Sequence, residues 1–208
     1  MPLTSADWDS YAKNTSSAII RAHYFFTVWR NYLYLLHGLK IPQGTLLEIG
    51  SSSGQNSLRL AKKYKLSPTL VDTSKLALAI ANKLFREAKI SPKLIQQDVL
   101  NLSINRQFDF VHSHGLLEHF RKSVQRVAFH NHAKCVRPGG WLVCWVPTPD
   151  ILYRLNRWYL ERTKQWIFGY ENPLLLKDFI LLFQNEELRV RKICHPPGWL
   201  GIAAQKSV

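Results

Sequence analysis

The sequence predicts an α/β domain: a seven-stranded, mostly parallel sheet with one antiparallel edge strand, helices on both faces and a helical insertion after the fifth strand. Three observations predict it. Short apolar runs alternate with amphipathic segments over residues 41–149, the rhythm of a parallel sheet covered on both sides. The stretch "TLLEIGSSSGQNSLRLA", residues 45–61, reads as a buried strand, a tight small-residue turn and a helix start. The chain also carries two late strand-like segments, "LRVRKIC" and "GWLGIAAQ", joined by "HPPG", which suits a closing hairpin.

The elements follow in order. Residues 1–15 look irregular, and Ser16 to about His37 reads as a helix with Gly38 as its C-terminal cap. "IPQG" turns the chain into the first strand, "TLLEIG", and a helix follows from about Asn56 to Tyr64. "PTLVDTS" is the second strand, and "LALAIANKLFREAK" is a helix with apolar residues on one face. "PKLIQQDVL" is the third strand, "FDFVHSHG" the fourth, and "RKSVQRVAFHNHAKCV" the helix after it. Pro138-Gly139-Gly140 makes a turn into the fifth strand, "WLVCWVP". The rhythm then changes: residues 150–185 carry two or three consecutive helices rich in Trp, Tyr and Arg, and residues 186–208 hold the last strand pair. With no internal repeats, the 208 residues read as one domain.

Composition limits the partners. A hydrophobic content of 46% is ample for a core and argues against disorder. The excess of 28 Lys and Arg over 14 Asp and Glu, a net charge of +14, favours phosphates, anionic lipid head groups or acidic substrates, unless it is simply a solvated surface. Cys135, Cys144 and Cys194 have no paired spacing, which suits a reducing compartment. The polar start "MPLTSADWDSYAKNTSS" has no apolar signal core, and no apolar run is long enough to span a bilayer. The expectation is a cytoplasmic protein, possible also as one peripheral to a membrane.

The glycine-serine turn is the first chemical signal. In an open α/β sheet, ligands bind beyond the carboxyl ends of the strands. Gly50 permits a sharp turn there, and Gly54 lets the next helix begin close to a ligand. A pyrophosphate-binding turn would read G-x-G-x-x-G. Here Ser52 takes the second glycine's place and no third glycine falls in register. Glu48 before the turn puts negative charge near the ligand, which suits a cationic ligand better than pyrophosphate. Asp72 ends the second strand, where a carboxylate accepts both ribose hydroxyls, and Asp98 ends the third, placed for an adenine amino group with the Val99 N–H facing the ring. Three successive strands thus end in an acid at one rim.

In these segments, together with "FDFVHSHGLLEHF" and "RPGGWLVCWVP", the chain resembles the class I S-adenosylmethionine-dependent methyltransferases, over roughly residues 40–147 and in family order. It is most similar to the broad group that includes ubiquinone and menaquinone biosynthesis methyltransferases. The resemblance implies a Rossmann-like sheet and S-adenosyl-L-methionine as cofactor. It places Glu48, Gly50, Ser51, Ser52 and Gly54 around the methionine part, Asp72 at the ribose, and Thr73, Asp98 and Val99 at the adenine. Ser113 and His114 would face the sulfonium end, and Ser52 stands where the family has glycine. The start "DWDSYA" resembles the group's lid, which assigns Tyr11 to the cofactor, Trp8 to the substrate, and residues 1–40 to a lid and helix. Residues 41–149 become the cofactor core and residues 150–185 a substrate cap.

Methyl transfer is an in-line displacement with a neutral leaving group, so the protein must align the nucleophile and exclude water. A base is needed only when the nucleophile holds its proton. His119 in "LLEHF" is the first candidate and His114 the second; the alternative for His119 is a packing role, and Glu118 is read as holding the loop after strand four. His112, His114, His130 and His132 do not make a metal set: His130 and His132 lie two apart on a helix, and no Cys or carboxylate completes them. The substrate surface is read as Arg154, Arg157 and Trp158 with Trp8, in a cap that mixes cations and rings. A small-molecule or lipid-linked acceptor at an anionic membrane fits this surface. RNA or protein methylation through the basic face is the alternative; a non-catalytic cofactor-fold binding protein is another.

Overall fold

The computed structural model describes residue 4, residues 7–10 and residues 27–208. The expected helix from Ser16 lies partly outside these residues; its described part is α1 (Trp29–Leu36). The order then runs β1 (Gly44–Ile49), α2 (Gln55–Tyr64), β2 (Leu66–Asp72), α3 (Lys75–Glu87), β3 (Lys93–Gln96), β4 (Phe108–His114), α4 (Lys122–Lys134), β5 (Val136–Pro147), α5 (Ile151–Arg162), α6 (Leu176–Gln184), β6 (Leu188–Cys194) and β7 (Trp199–Lys206). Single 3₁₀ turns cover Val99–Asn101 and Leu117–His119.

Among the described residues, one seven-stranded sheet forms the frame, in the order β3-β2-β1-β4-β5-β7-β6. β1 pairs in parallel with both β2 and β4, so the chain reverses its direction of winding at that point. Crossovers on either side of such a reversal leave a crevice beyond the strands' carboxyl ends. β7 is antiparallel to both neighbours and lies between β5 and the edge strand β6.

The central strands are apolar on both faces because each face is covered. Successive side chains point to opposite sides. Leu46, Phe110, Trp141, Val143 and Trp145 meet Tyr32, Leu35 and Leu36 of α1 and Leu60 of α2. Leu47, Val111, Leu142, Cys144 and Val146 meet Phe129 of α4 and Phe179 and Phe183 of α6. Leu70 packs with Leu58, Leu78 and Phe85 in a third, smaller cluster under α2 and α3. All three cysteines are free and buried.

Three elements differ from expectation. β3 stops at Gln96, because the Asp98 carboxylate accepts the Leu100 N–H at 2.9 Å and folds the rest into a 3₁₀ turn. Pro138-Gly139-Gly140 lies inside β5, in a register shift: Phe108 pairs with Val136 but Phe110 pairs with Trp141. A proline and two glycines suit such a bulge, which needs no ladder donor. Finally, α6 does not cap the crevice. Its Phe179, Leu182 and Phe183 are buried beneath the sheet, leaving α5 as the helix over the site.

Candidate active site

The crevice at the β1/β4 reversal opens into a cavity of about 1150 Å³. That is more than the upper end of the usual range for one small ligand, about 1000 Å³. Its floor is the turn after β1, with Glu48, Gly50, Ser51, Ser52 and Asn56. One wall holds Asp72, Thr73, Asp98 and Val99; the opposite wall holds His114, Glu118 and His119. Trp8 and the segment from Tyr153 to Glu171 border the mouth.

The turn is held by a carboxylate. Asp72 Oδ2 accepts the Ser52 N–H at 2.7 Å, and Oδ1 accepts the Ser74 N–H at 2.9 Å. Ser52 adopts φ 47°, so this bond fixes a left-handed residue. Burial holds the Asp72 carboxyl above its usual value, against the pull of these N–H groups. Ser74 caps α3 by accepting the Ala77 N–H at 2.9 Å, and its hydroxyl in turn donates to Asp9. The helical turn at residues 7–10 is thereby tied across the cavity rim.

Glu48 is buried at 2% exposure, and its Oε2 has no hydrogen-bond partner. Burial pushes its carboxyl up to about 8. His112, 3.8 Å away, is pushed down to about 3 by burial, so the contact joins two neutral groups near pH 7. The His112 ring is set by Tyr32 Oη on Nδ1 at 3.1 Å and Ser57 Oγ on Nε2 at 2.9 Å. His112 is thus a core residue that supports Glu48. His130 pairs with Glu186 on the surface, and His132 Nδ1 bonds the Ala128 carbonyl at 2.7 Å.

On the far wall, His119 Nδ1 meets the Tyr170 carbonyl oxygen at 3.1 Å, so it carries the proton and donates, which leaves Nε2 as the basic atom. Trp8 packs edge-on against this ring, with centroids 4.9 Å apart. Burial lowers the imidazole's basicity. His114 is sandwiched by aromatic rings, Trp199 at 4.6 Å and Tyr32 at 6.0 Å between centroids, and burial pushes it down to about 4.

Of the residues singled out from the sequence, Glu48, Gly50, Ser51, Ser52, Asp72, Thr73, Asp98, Val99, His114, His119 and Trp8 all line this one cavity. Gly54 does not. It packs behind the turn toward Leu70 and Phe85. Ser113 is buried within β4 opposite Cys144, behind the wall. Arg154 is exposed, and Trp158 is 59% exposed on the outer side of α5. Arg157 braces the wall from outside: its Nη1 donates to Tyr153 Oη at 3.2 Å and to the Glu171 carbonyl at 2.9 Å. Tyr11 lies outside the described residues. The sequence reading passed over Asp9, Tyr153, Glu171 and Trp199, although "DWDSYA" did hold a second acid at the lid.

Residues 46–140, which carry the turn, the rim acids and β4, match the family model described as a methyltransferase domain. No curated protein matches the chain by sequence. Solved structures with the same fold include N-methyltransferase NodS from Bradyrhizobium japonicum WM9, in complex with S-adenosyl-L-homocysteine. It is 18% identical, with TM-score 0.66 over 96% of this chain and 98% of that one. Magnesium protoporphyrin IX methyltransferase (ChlM) from Synechocystis PCC 6803, with bound S-adenosyl-L-homocysteine, gives 14% identity and TM-score 0.70 over 90% and 85%. A possible exported protein from Bordetella parapertussis gives 16% and 0.73 over 92% and 74%.

The seven-stranded sheet is the fold of these solved methyltransferases, and residues 46–140 within it match the methyltransferase-domain model. The match to the methyltransferase-domain model covers 95 of the 208 residues, and the solved structures share the fold of the whole described chain.

Proposed function

We propose that this chain transfers the methyl group of S-adenosyl-L-methionine, by in-line displacement, to a small-molecule or lipid-linked acceptor. The observation that carries the proposal is the orphaned acid at the cavity floor. Glu48 Oε2, Ser51 Oγ and Asn56 Oδ1 are buried, face the cavity and lack partners. These are acceptors, and the ammonium of the cofactor's methionine part is a donor that satisfies them. Asp72 would hold the ribose, and Asp98 with Val99 the adenine. His114 and the β4 end would flank the sulfonium. The cofactor supplies a methyl carbon activated by a positively charged sulfur.

The chain's own residues then align and protect. Trp8, Tyr153 and Trp199 border the reacting space and keep water from it. His119 lines the same space, and its Nε2, left basic by the Nδ1 bond to the Tyr170 carbonyl, would take the acceptor's proton where it holds one. Calorimetry with S-adenosyl-L-homocysteine tests the cofactor site, and transfer of labelled methyl tests the activity. A protein that takes up a nicotinamide dinucleotide but not S-adenosyl-L-homocysteine would overturn the reading.

A specific observation favours the lipid-linked branch. No residue of α5 is buried, and Ile151, Leu152, Leu155, Trp158 and Tyr159 are each more than half exposed. They recur at helical spacing, with exposed Arg154, Arg162 and Lys164 beside them. Such a face suits the surface of an anionic bilayer. Among the described residues, no helix is long and apolar enough to cross a membrane. Co-sedimentation with phosphatidylserine vesicles, lost in Leu155→Glu and absent with phosphatidylcholine alone, is the expected result.

A further inference from the structure

At the mouth of the cavity, away from the turn after β1, a second acid site stands apart from the cofactor acids. Glu118 follows β4 and is buried at 2% exposure; its Oε2 has no hydrogen-bond partner. Glu171 reaches the same space from the segment between α5 and α6. The two are joined through the backbone, since the Asn172 N–H donates to the Glu118 carbonyl at 2.7 Å. Burial raises both carboxyls, Glu118 well above its ordinary value, where the nearby Glu171 adds to the effect, and Glu171 to about 7, against the pull of Arg157 and Tyr153. The rings of Trp8, Tyr153, Trp166, Phe168 and Tyr170 complete the wall.

We infer that Glu118 and Glu171 form the acceptor's recognition site and that the acceptor is an amine on an apolar or aromatic body. This rests on the methyltransferase reading and names its substrate class. A buried carboxylate oxygen without a donor is costly, and an ammonium supplies donors and charge together. Aromatic faces add to the attraction of a cation. A phosphate or carboxylate at this end would instead meet two acids.

Arg157 bonds Glu161 Oε1 at 2.8 Å, Tyr153 Oη and the Glu171 carbonyl, and its charge favours the ionised form of the Glu171 carboxyl; Arg121 also lines the cavity. The groups facing Glu171 are Glu118 beyond β4, and Tyr153 and Arg157 on α5. The reaction balances without a further reagent. The bound R–NH₃⁺ gives one proton to His119 Nε2, which lies 3.8 Å from Glu118 Oε1. The freed nitrogen lone pair forms the N–C bond. The C–S bond breaks with its electrons on sulfur, and the product leaves as R–NH₂⁺–CH₃. The imidazolium returns its proton to water.

Tryptamine, tryptophol and indole-3-acetate share one ring system and differ in charge at the tail. Each is titrated calorimetrically into the protein saturated with S-adenosyl-L-homocysteine. Tryptamine is expected to bind at least about tenfold more tightly than tryptophol. Its affinity should rise as pH passes 7 and Glu171 ionises, while tryptophol's stays level. Glu171→Gln and Glu118→Gln should each reduce the preference to less than about threefold. Thermal melting confirms that each variant folds, and the less buried Glu171 position carries the test if Glu118→Gln does not. Equal binding of tryptamine and tryptophol, tighter binding of indole-3-acetate, no binding of tryptamine, or an intact preference in Glu171→Gln overturns the inference. Failure with S-adenosyl-L-homocysteine in the prior titration removes the methyltransferase reading and this one together. Uptake of that ligand without amine preference removes this one alone.

Discussion

Gly54 closes the turn after β1 in a left-handed conformation, φ 67° and ψ 17°, and starts α2 without a side-chain cap. A Cβ at this position would sit 2.8 Å from Leu70 Cδ1 and 3.0 Å from Phe85 Cε2, atoms of a packed core cluster. Gly54→Ala therefore adds two costs. The left-handed backbone costs an L-residue about 1–2 kcal/mol, offset by about 0.4–1 kcal/mol from the stiffer unfolded chain. Overpacking adds about 1–3 kcal/mol, since Leu70 and Phe85 are both completely buried with no room to retreat. Gly38→Ala is the control: its φ is also positive, at 80°, but nothing lies within 4 Å of the added carbon. The expected losses are about 1 kcal/mol for Gly38→Ala and about 3 kcal/mol for Gly54→Ala. For a chain of this size the second corresponds to a drop of roughly 6–12 °C in Tm. Urea denaturation at fixed pH reads both. Equal losses in the two variants would refute the packing argument, because the backbone term alone would then account for Gly54.

Further perturbations test other parts of the site. Glu48→Gln removes a carboxyl whose folded pKa is raised, to about 8. A raised acid makes the native state lose stability as pH climbs from the unfolded value to the folded one. The variant should therefore gain on the wild type by about 3 kcal/mol between pH 5 and pH 8, and a constant difference would refute the burial of this group. His132, pushed down to about 4, gives the opposite sign. The unfolded chain takes up its proton below pH 6.5 and the native chain does not, so His132→Leu should gain on the wild type by about 2 kcal/mol as pH falls to 5. Asp72→Asn loses the anionic acceptor of the Ser52 and Ser74 N–H groups and the proposed ribose ligand. S-adenosyl-L-homocysteine should bind at least about tenfold more weakly, as a charged hydrogen bond is worth about 1.5–3 kcal/mol; unchanged affinity would remove Asp72 from the site.

The parts legible in the sequence are those set by local pattern. β1, β2, β4 and β5 are apolar runs because both faces are covered, and Asp72 and the serine turn stand at their ends. The rest depends on long-range packing. α5 and α6 carry similar apolar spacing, yet Phe179 and Phe183 are buried while Leu155 and Trp158 face outward. Periodicity gives a face, and only tertiary context says what covers it. Glu171 belongs to an irregular segment with no period, and its place beside Glu118 is fixed by one backbone bond from Asn172. Asp9 meets Ser74 across 65 residues, a pairing that no local signal encodes. β3 fell short of its pattern because Asp98 served as a cap.

The charge of the molecule is divided by location. Over the whole chain, bases outnumber acids by 28 to 14. Of those acids, Glu48, Asp72, Asp98, Glu118 and Glu171 line a single cavity that has few basic side chains, where burial favours the neutral form of Glu48 and Glu118. Surface charges are screened by salt within a Debye length, whereas buried ones are screened much less. The basic exterior therefore acts at association, on partners of opposite sign, and the acidic interior acts at recognition. An acceptor carrying a phosphate at its reacting end would be drawn to the surface and refused by the cavity. An amine carried at an anionic surface meets the complementary sign at both stages. The membrane reading of α5 and the amine reading of Glu118 and Glu171 are thus compatible, because each uses a different population of charge.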